Sequence, residues 1–163
     1  MHDLAEKVGA ALKAHGYKLA TAESCTGGAV AVAVTDIAGS SAWFERGFIT
    51  YSNEAKQEML DVAPATLAKY GAVSEAVVRE MVSGALRHSH AQMAVAVSGI
   101  AGPGGGTLDK PVGMVWVAWG IQDGACTARL HQLPGNRAEI RMQSVHIALQ
   151  GALEMLHGVS QLA

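Results

Sequence analysis

Apolar and polar residues recur along this chain in two periods, one helical and one alternating or continuous, and the order in which the two take turns predicts the architecture. Near the start, Leu4, Val8, Ala11 and Leu12 fall at helical spacing with Glu6, Lys7 and Lys13 between them, and Gly16 is placed to end the segment, which predicts a helix over residues 3–15. Tyr17 to Glu23 then reads as a strand, and Gly28 to Ile37 as a helix of small apolar residues suited to burial, broken by Gly39-Ser40-Ser41. The aromatic and β-branched residues between Trp43 and Tyr51 predict a second strand with Gly47 as a bulge, and Asn53 is placed to cap a short helix through Leu60. Pro64 opens another helical segment to Tyr70, which Gly71 ends. Ser74 is a good cap for the next helix, in which Val77, Val78, Met81, Val82, Ala85 and Leu86 form one face, with Arg79, Glu80, Arg87 and His88 on the rest.

The run from Gln92 to Val97 is continuously apolar, as a strand covered on both faces should be, and it leads into a glycine-rich loop from Ser98 to Gly106. Pro111 to Gly120 and Ala125 to Leu133 predict a strand pair joined near Asp123-Gly124, a type I′ hairpin signal. Asn136 is placed to cap a long last helix with Ile140, Val145, Ala148, Leu149, Ala152 and Leu156 facing inward. Alternating helices and strands with one late hairpin predict an α/β fold, a single three-layer α/β/α sandwich around a mixed, mostly parallel sheet of about five strands. No repeat, linker or low-complexity segment divides residues 1–163, so one domain is expected. In such sheets ligands gather beyond the carboxyl ends of the strands, and the corner at Ser24, the Tyr51-Ser52-Asn53 segment and the Ser98–Gly106 loop all fall at such ends.

Composition narrows the function classes. With 50% hydrophobic and 16% charged residues the chain can bury a sizeable core, and since aromatics are only 5%, alanine and small aliphatics must fill it. A net charge of −2 with twelve Lys and Arg provides no electrostatic footprint for a nucleic-acid backbone, so no nucleic-acid partner is expected. Cys25 and Cys126 make neither a metal spacing nor a disulfide framework, and the first residues lack the basic-then-apolar order of a signal peptide, so a cytoplasmic protein is expected. No apolar run reaches membrane-spanning length, which argues against a membrane partner. His88-Ser89-His90 has no carboxylate cluster to support it and the other histidines are scattered, so neither a metal nor another cofactor is expected.

Candidate chemistry starts at Thr21-Ala22-Glu23-Ser24-Cys25-Thr26-Gly27-Gly28, a polar corner between strand and helix. Ser24, Cys25 and Thr26 put three hydroxyl or thiol groups in a row, and Gly27 and Gly28 let a ligand approach the backbone as the helix begins. The plainer reading is a capped helix, with Ser24 or Thr26 as the cap and Cys25 as a small buried hydrophobe. With Asn53 as cap, Lys56 takes the third helical position, where a capping box would place Glu or Gln. The helix dipole and partial burial both disfavour its charge there, so Lys56 is a candidate base and Ser24 its partner in a Ser/Lys dyad that attacks a carbonyl or amide carbon; the alternative is a solvated lysine. Tyr51 offers a hydroxyl to the lysine or the substrate, or simply sits at the sheet rim. The loop Ser98-Gly99-Ile100-Ala101-Gly102-Pro103-Gly104-Gly105-Gly106 offers unobstructed backbone N–H groups for a phosphate or oxyanion, matches neither a P-loop nor a dinucleotide fingerprint, and is equally readable as a flexible turn. Arg137 suits a phosphate or carboxylate, or solvent. Cys25 is the rival nucleophile, a thiol whose pKa a helix N-terminus would lower, but no histidine accompanies it in these motifs.

Taken together, Thr21 to Gly28, Tyr51-Ser52-Asn53-Glu54-Ala55-Lys56, Gly71-Ala72-Val73-Ser74, Ser98-Gly99-Ile100-Ala101-Gly102-Pro103 and Lys110-Pro111-Val112-Gly113 resemble the CinA C-terminal domain family, five ordered motifs over nearly the whole chain. The resemblance implies hydrolysis of the carboxamide of nicotinamide mononucleotide to nicotinic acid mononucleotide and ammonia, in pyridine-nucleotide salvage. The family's serine falls on Ser24, its lysine on Lys56 and its tyrosine on Tyr51. The hydroxyl residue that opens its glycine-rich loop, often threonine, is Ser98 here. Its arginine falls on Arg137, with Arg141 one turn further on as the other candidate. Backbone groups from Cys25 through Thr26, Gly27 and Gly28 would then stabilise an oxyanion, while Ser98, Gly99, Gly102 and Arg137 hold ribose or phosphate. The resemblance also implies a homo-oligomer. The larger N-terminal domain of some relatives has no counterpart in these motifs, and its activity is not expected here. The competing class is a nucleotide-binding or competence- and damage-linked module that keeps the pocket without turnover.

Overall fold

Alternation of large and small residues along three strands decides which helices lie on which side of the sheet. The computed structural model describes residues 1–162. In β1 (Leu19–Glu23), β3 (Met93–Gly99) and β4 (Met114–Ile121), one face carries Leu19, Met93, Val95, Val97, Val115, Val117 and Trp119. Successive side chains of a strand point to opposite faces, so the other face carries Ala20, Ala22, Ala94, Ala96 and Ala118. The large face packs against α1 (His2–His15), α2 (Ala29–Thr35) and α6 (Arg137–Leu162). The alanine face packs against α3 (Asn53–Leu60), α4 (Pro64–Tyr70) and α5 (Glu75–Arg87). The outcome is the expected three-layer α/β/α arrangement.

With β2 (Phe44–Ile49) and β5 (Cys126–Gln132) the sheet has five strands in the order β2-β1-β3-β4-β5. The β1 strand runs parallel to both β2 and β3, while β4 is antiparallel to its neighbours, so four strands share one direction. The carboxyl ends of β2, β1 and β3 therefore lie side by side. Short side chains on the alanine face let the helices of that layer sit close, and Gly84 of α5 marks the tightest approach: a Cβ there would lie 1.9 Å from the Leu60 carbonyl oxygen. Backbone on both sides of that contact leaves little room to relax, so Gly84→Ala is expected to cost about 3 kcal/mol, read as an earlier urea or thermal transition.

Several local expectations change. Gly47 pairs regularly with Thr21, and the register shift lies opposite Leu19/Ala20, where Glu45 is the extra residue. Gly47 is small for another reason, since a Cβ there would come within 2.9 Å of Thr21 Oγ1. The β4–β5 connection is not type I′, which needs positive φ at both central residues. Its turn is closed by Gly124 N–H on the Ile121 carbonyl, and of the two central residues, Gln122 and Asp123, only Asp123 has a positive φ, 56°. The β2 strand ends at Ile49, leaving Tyr51 beyond it. Ser52 caps α3 through Ala55 N–H at 3.0 Å, so Asn53 is the first helical residue and Lys56 the fourth. The expected caps Ser74 and Asn136 do cap: Ser74 Oγ accepts from Val77 N–H, and Asn136 Oδ1 accepts from Glu139 N–H while the Glu139 carboxylate accepts from Asn136 N–H.

Candidate active site

The corner after β1 is fastened on every side. Ser24 N–H donates to the Val97 carbonyl of β3, and Thr50 N–H after β2 donates to the Glu23 carbonyl, so the ends of three adjacent strands hold the corner between them. Neither Ser24 nor Thr26 caps α2. Glu23, 1% exposed, does so from the end of the strand, its carboxylate accepting from Val30 N–H at 2.8 Å and Ala31 N–H at 3.0 Å. A carboxylate at a helix N-terminus neutralises the positive end of the dipole, so no further anion is needed there. The sequence signal was an acidic residue closing an otherwise apolar strand. Gly27 and Gly28 turn the chain with φ of 59° and 101°, a conformation that side chains disfavour.

Lys56 extends from α3 beneath this corner and is 1% exposed. Its Nζ lies 2.9 Å from Ser24 Oγ, 2.8 Å from the Thr50 carbonyl and 3.4 Å from the Tyr51 carbonyl. Burial withdraws water from the ammonium and pulls its pKa down from 10.5 to about 8. The neutral amine has two N–H groups for the two carbonyls and a lone pair left for the serine proton, which is the arrangement a general base requires. Cys25 behaves in the opposite way to the expectation from its place before a helix. Burial outweighs the nearby positive charges and pushes its thiol up to about 11, so the nucleophilic thiolate is disfavoured.

A cleft of about 280 Å³ opens over the dyad, lined by Ser24, Cys25, Tyr51, Asn53, Lys56, the Ala72-Val73 segment, Ser98 to Gly102, Gly104, Gly105 and Arg137. Thr26, Gly27 and Gly28 are not among the lining residues. Tyr51 is 62% exposed, and its hydroxyl accepts from Arg137 at 3.2 Å; the lysine meets its carbonyl instead of its hydroxyl. Arg137 also donates to the Gly102 carbonyl at 2.8 Å, which ties the glycine-rich loop to the start of α6. The Ser98 hydroxyl is buried and donates to the Ala72 carbonyl at 2.9 Å, and Lys110 donates to the Tyr70 carbonyl, so that loop is also fastened to the α4–α5 connection. Gly99 and Gly102 allow the loop to fold back, since a Cβ on either would come within 2.6 Å of Val115 or Val112. Arg141, the other candidate arginine, does not line the cleft; it donates to the Cys25 and Thr26 carbonyls, each at 3.1 Å. Among the described residues no group of three or more His, Cys, Asp or Glu could hold a metal ion, and no helix is long and apolar enough to cross a membrane.

Comparison with known proteins bears on what this cleft does. The family model of the CinA C-terminal domain matches residues 1–156. The nicotinamide-nucleotide amidohydrolase PncC of Enterobacter agglomerans is 54% identical over 153 residues, covering 94% of this chain and 93% of that protein. Its counterpart from Escherichia coli K12 is 57% identical over 147 residues, covering 90% and 89%. A CinA-like protein of Akkermansia muciniphila is 52% identical over 137 residues, which are 84% of this chain and 33% of that longer protein. Among solved structures, the competence/damage inducible protein CihA of Agrobacterium tumefaciens superposes with a TM-score of 0.92 at 45% identity, over 96% of this chain and 94% of that one.

Proposed function

The chain belongs to the CinA C-terminal domain family, and from that premise we propose that it is a nicotinamide-nucleotide amidohydrolase, converting nicotinamide mononucleotide and water to nicotinic acid mononucleotide and ammonia. One observation carries the mechanism: a buried lysine, inclined to be neutral, with Nζ 2.9 Å from Ser24 Oγ. Lys56 takes the Ser24 proton as Oγ attacks the carboxamide carbon, and the carbonyl oxygen becomes an oxyanion. Lys56, now an ammonium held by the Thr50 and Tyr51 carbonyls, returns the proton to the departing nitrogen, and ammonia leaves an ester on Ser24. Water then attacks the ester with Lys56 again as base, releasing the carboxylic acid and restoring the serine.

Backbone N–H groups of the corner from Cys25 onward stabilise the oxyanion in this reading, while the loop from Ser98 to Gly105 and Arg137 hold ribose and phosphate. Tyr51 steadies Arg137 at the cleft mouth. No step calls for a metal or cofactor. A binding module without turnover would have no use for a neutral lysine against a serine, which favours the enzyme. The same reading makes residues 1–163 one amidohydrolase domain of a cytoplasmic homo-oligomer in pyridine-nucleotide salvage, with sedimentation velocity as the check on assembly.

The test is ammonia release from nicotinamide mononucleotide as a function of pH. The reactive form has Lys56 neutral, so kcat/KM should rise about tenfold per pH unit below its pKa. The rise should level off above a pH of about 8. A rate that stays flat from pH 6 to 9 would remove Lys56 from the role of base.

A further inference from the structure

The mechanism leaves one charged side chain at the corner without a task. Arg141 lies one turn after Arg137 on α6, lines no part of the cleft, and places its Nε and one terminal nitrogen on two successive carbonyls, those of Cys25 and Thr26, each at 3.1 Å. Each trans peptide carries its C=O and the following N–H on opposite sides, so a guanidinium that fixes these two carbonyls also fixes the two N–H groups that follow them. The Gly27 N–H is turned back onto the Ser24 carbonyl at 3.0 Å, closing the tight turn. That bond holds the Ser24 carbonyl, and the same peptide carries the Cys25 N–H, which is bonded to no other described residue and belongs to a residue that lines the cleft. A sheltered N–H without a partner is costly unless it is reserved for something that arrives later.

We propose that Arg141 is a positioning residue: by gripping the Cys25 and Thr26 carbonyls from α6 it fixes the turn whose Gly27 N–H holds the Ser24 carbonyl, and so sets the direction of the Cys25 N–H as the oxyanion donor beside Ser24. It touches neither substrate nor the reacting atoms. Its planar fork suits two carbonyls in fixed relation, which a lysine, with one point of attachment, satisfies only in part. Its charge is felt at the corner as well, since it lowers the Cys25 thiol pKa against the larger effect of burial. This assignment rests on the amidohydrolase reading for its substrate, but not for the reactivity of Ser24.

Two measurements on the full chain separate the possibilities: steady-state ammonia release from nicotinamide mononucleotide, and the rate at which a fluorophosphonate labels Ser24. The probe needs the dyad and the oxyanion site but no nucleotide recognition. Arg141→Met, which keeps most of the stem, is expected to lower kcat by roughly tenfold to a hundredfold, less than outright loss of an oxyanion donor, with KM within about twofold. Labelling should slow by a similar factor and the pH midpoint should stay in place. Arg141→Lys should recover part of both rates. A raised KM with unchanged labelling would make Arg141 a phosphate ligand and overturn the proposal, as would both rates staying within twofold of wild type. Should the wild type release no ammonia, the substrate reading fails while labelling still decides Arg141. Should Arg141→Met not fold, Arg141→Lys against Arg141→Gln provides the same comparison.

Discussion

Ser24→Ala should abolish ammonia release, lowering kcat by at least about a thousandfold while the fold persists. The side chain is small, so its loss should cost less than about 1 kcal/mol and leave the melting curve close to wild type. The buried Lys56 keeps its bonds to the Thr50 and Tyr51 carbonyls in this variant. The residual rate is informative. Cys25, the nearest alternative, has its thiol pushed up to about 11 and supplies little thiolate at neutral pH. A variant within tenfold of wild type would transfer the attack from Ser24 to Cys25 or to a water molecule, and alkylation of Cys25 would tell these apart.

Lys56→Met is expected to be as damaging as Ser24→Ala, with a loss of about a thousandfold or more, and to add nothing when the two are combined, because a nucleophile and its base act as one unit. Lys56→Arg should fare no better, since a guanidinium does not give up its proton. The same lysine leaves a mark on stability. Its pKa is about 8 in the folded chain against 10.5 when solvated, so between these values the unfolded chain holds a proton that the folded chain has lost. Stability contributed by this group therefore rises with pH from about 8 to about 10.5 in wild type, and Lys56→Met should lack that rise. Thermal melts of the pair across this range test it, and identical slopes would mean that the lysine is not desolvated.

Helices and strands were legible because their periods differ, and the long apolar segments α5, β3 and α6 needed nothing beyond that. The partnership of Ser24 and Lys56 was partly legible, through a lysine at the start of a helix where a carboxylate would be at ease. The capping assignment behind that inference was one residue off. Ser52 and Asn53 are both good cap residues, and it is the bonds to Ser52, Ala55 N–H on its hydroxyl and Lys56 N–H on its carbonyl, that separate them. Local sequence does not contain that choice, since either register allows Lys56 to reach the corner. Glu23 was hidden for a different reason: a carboxylate at a strand end looks solvated until the helix that follows turns its N–H groups back upon it. Gly47 looked like a bulge because glycine in a strand has two causes, and the one that operates here, the close approach of Thr21, is a tertiary fact. The bond from Arg141 to Cys25 spans 116 positions and leaves no local trace.

That span sets an order of events for a chain emerging from the ribosome. The contact between Ser24 and Lys56 closes over 32 positions, and the strand that completes the corner, β3, follows within the next few dozen residues. The grip of Arg141, and the tie of Arg137 to Gly102 and Tyr51, come from the helix made last. Synthesis therefore delivers the nucleophile and the base first and the residues that tie the corner and the glycine-rich loop last, so the site is complete only once α6 has packed against the sheet.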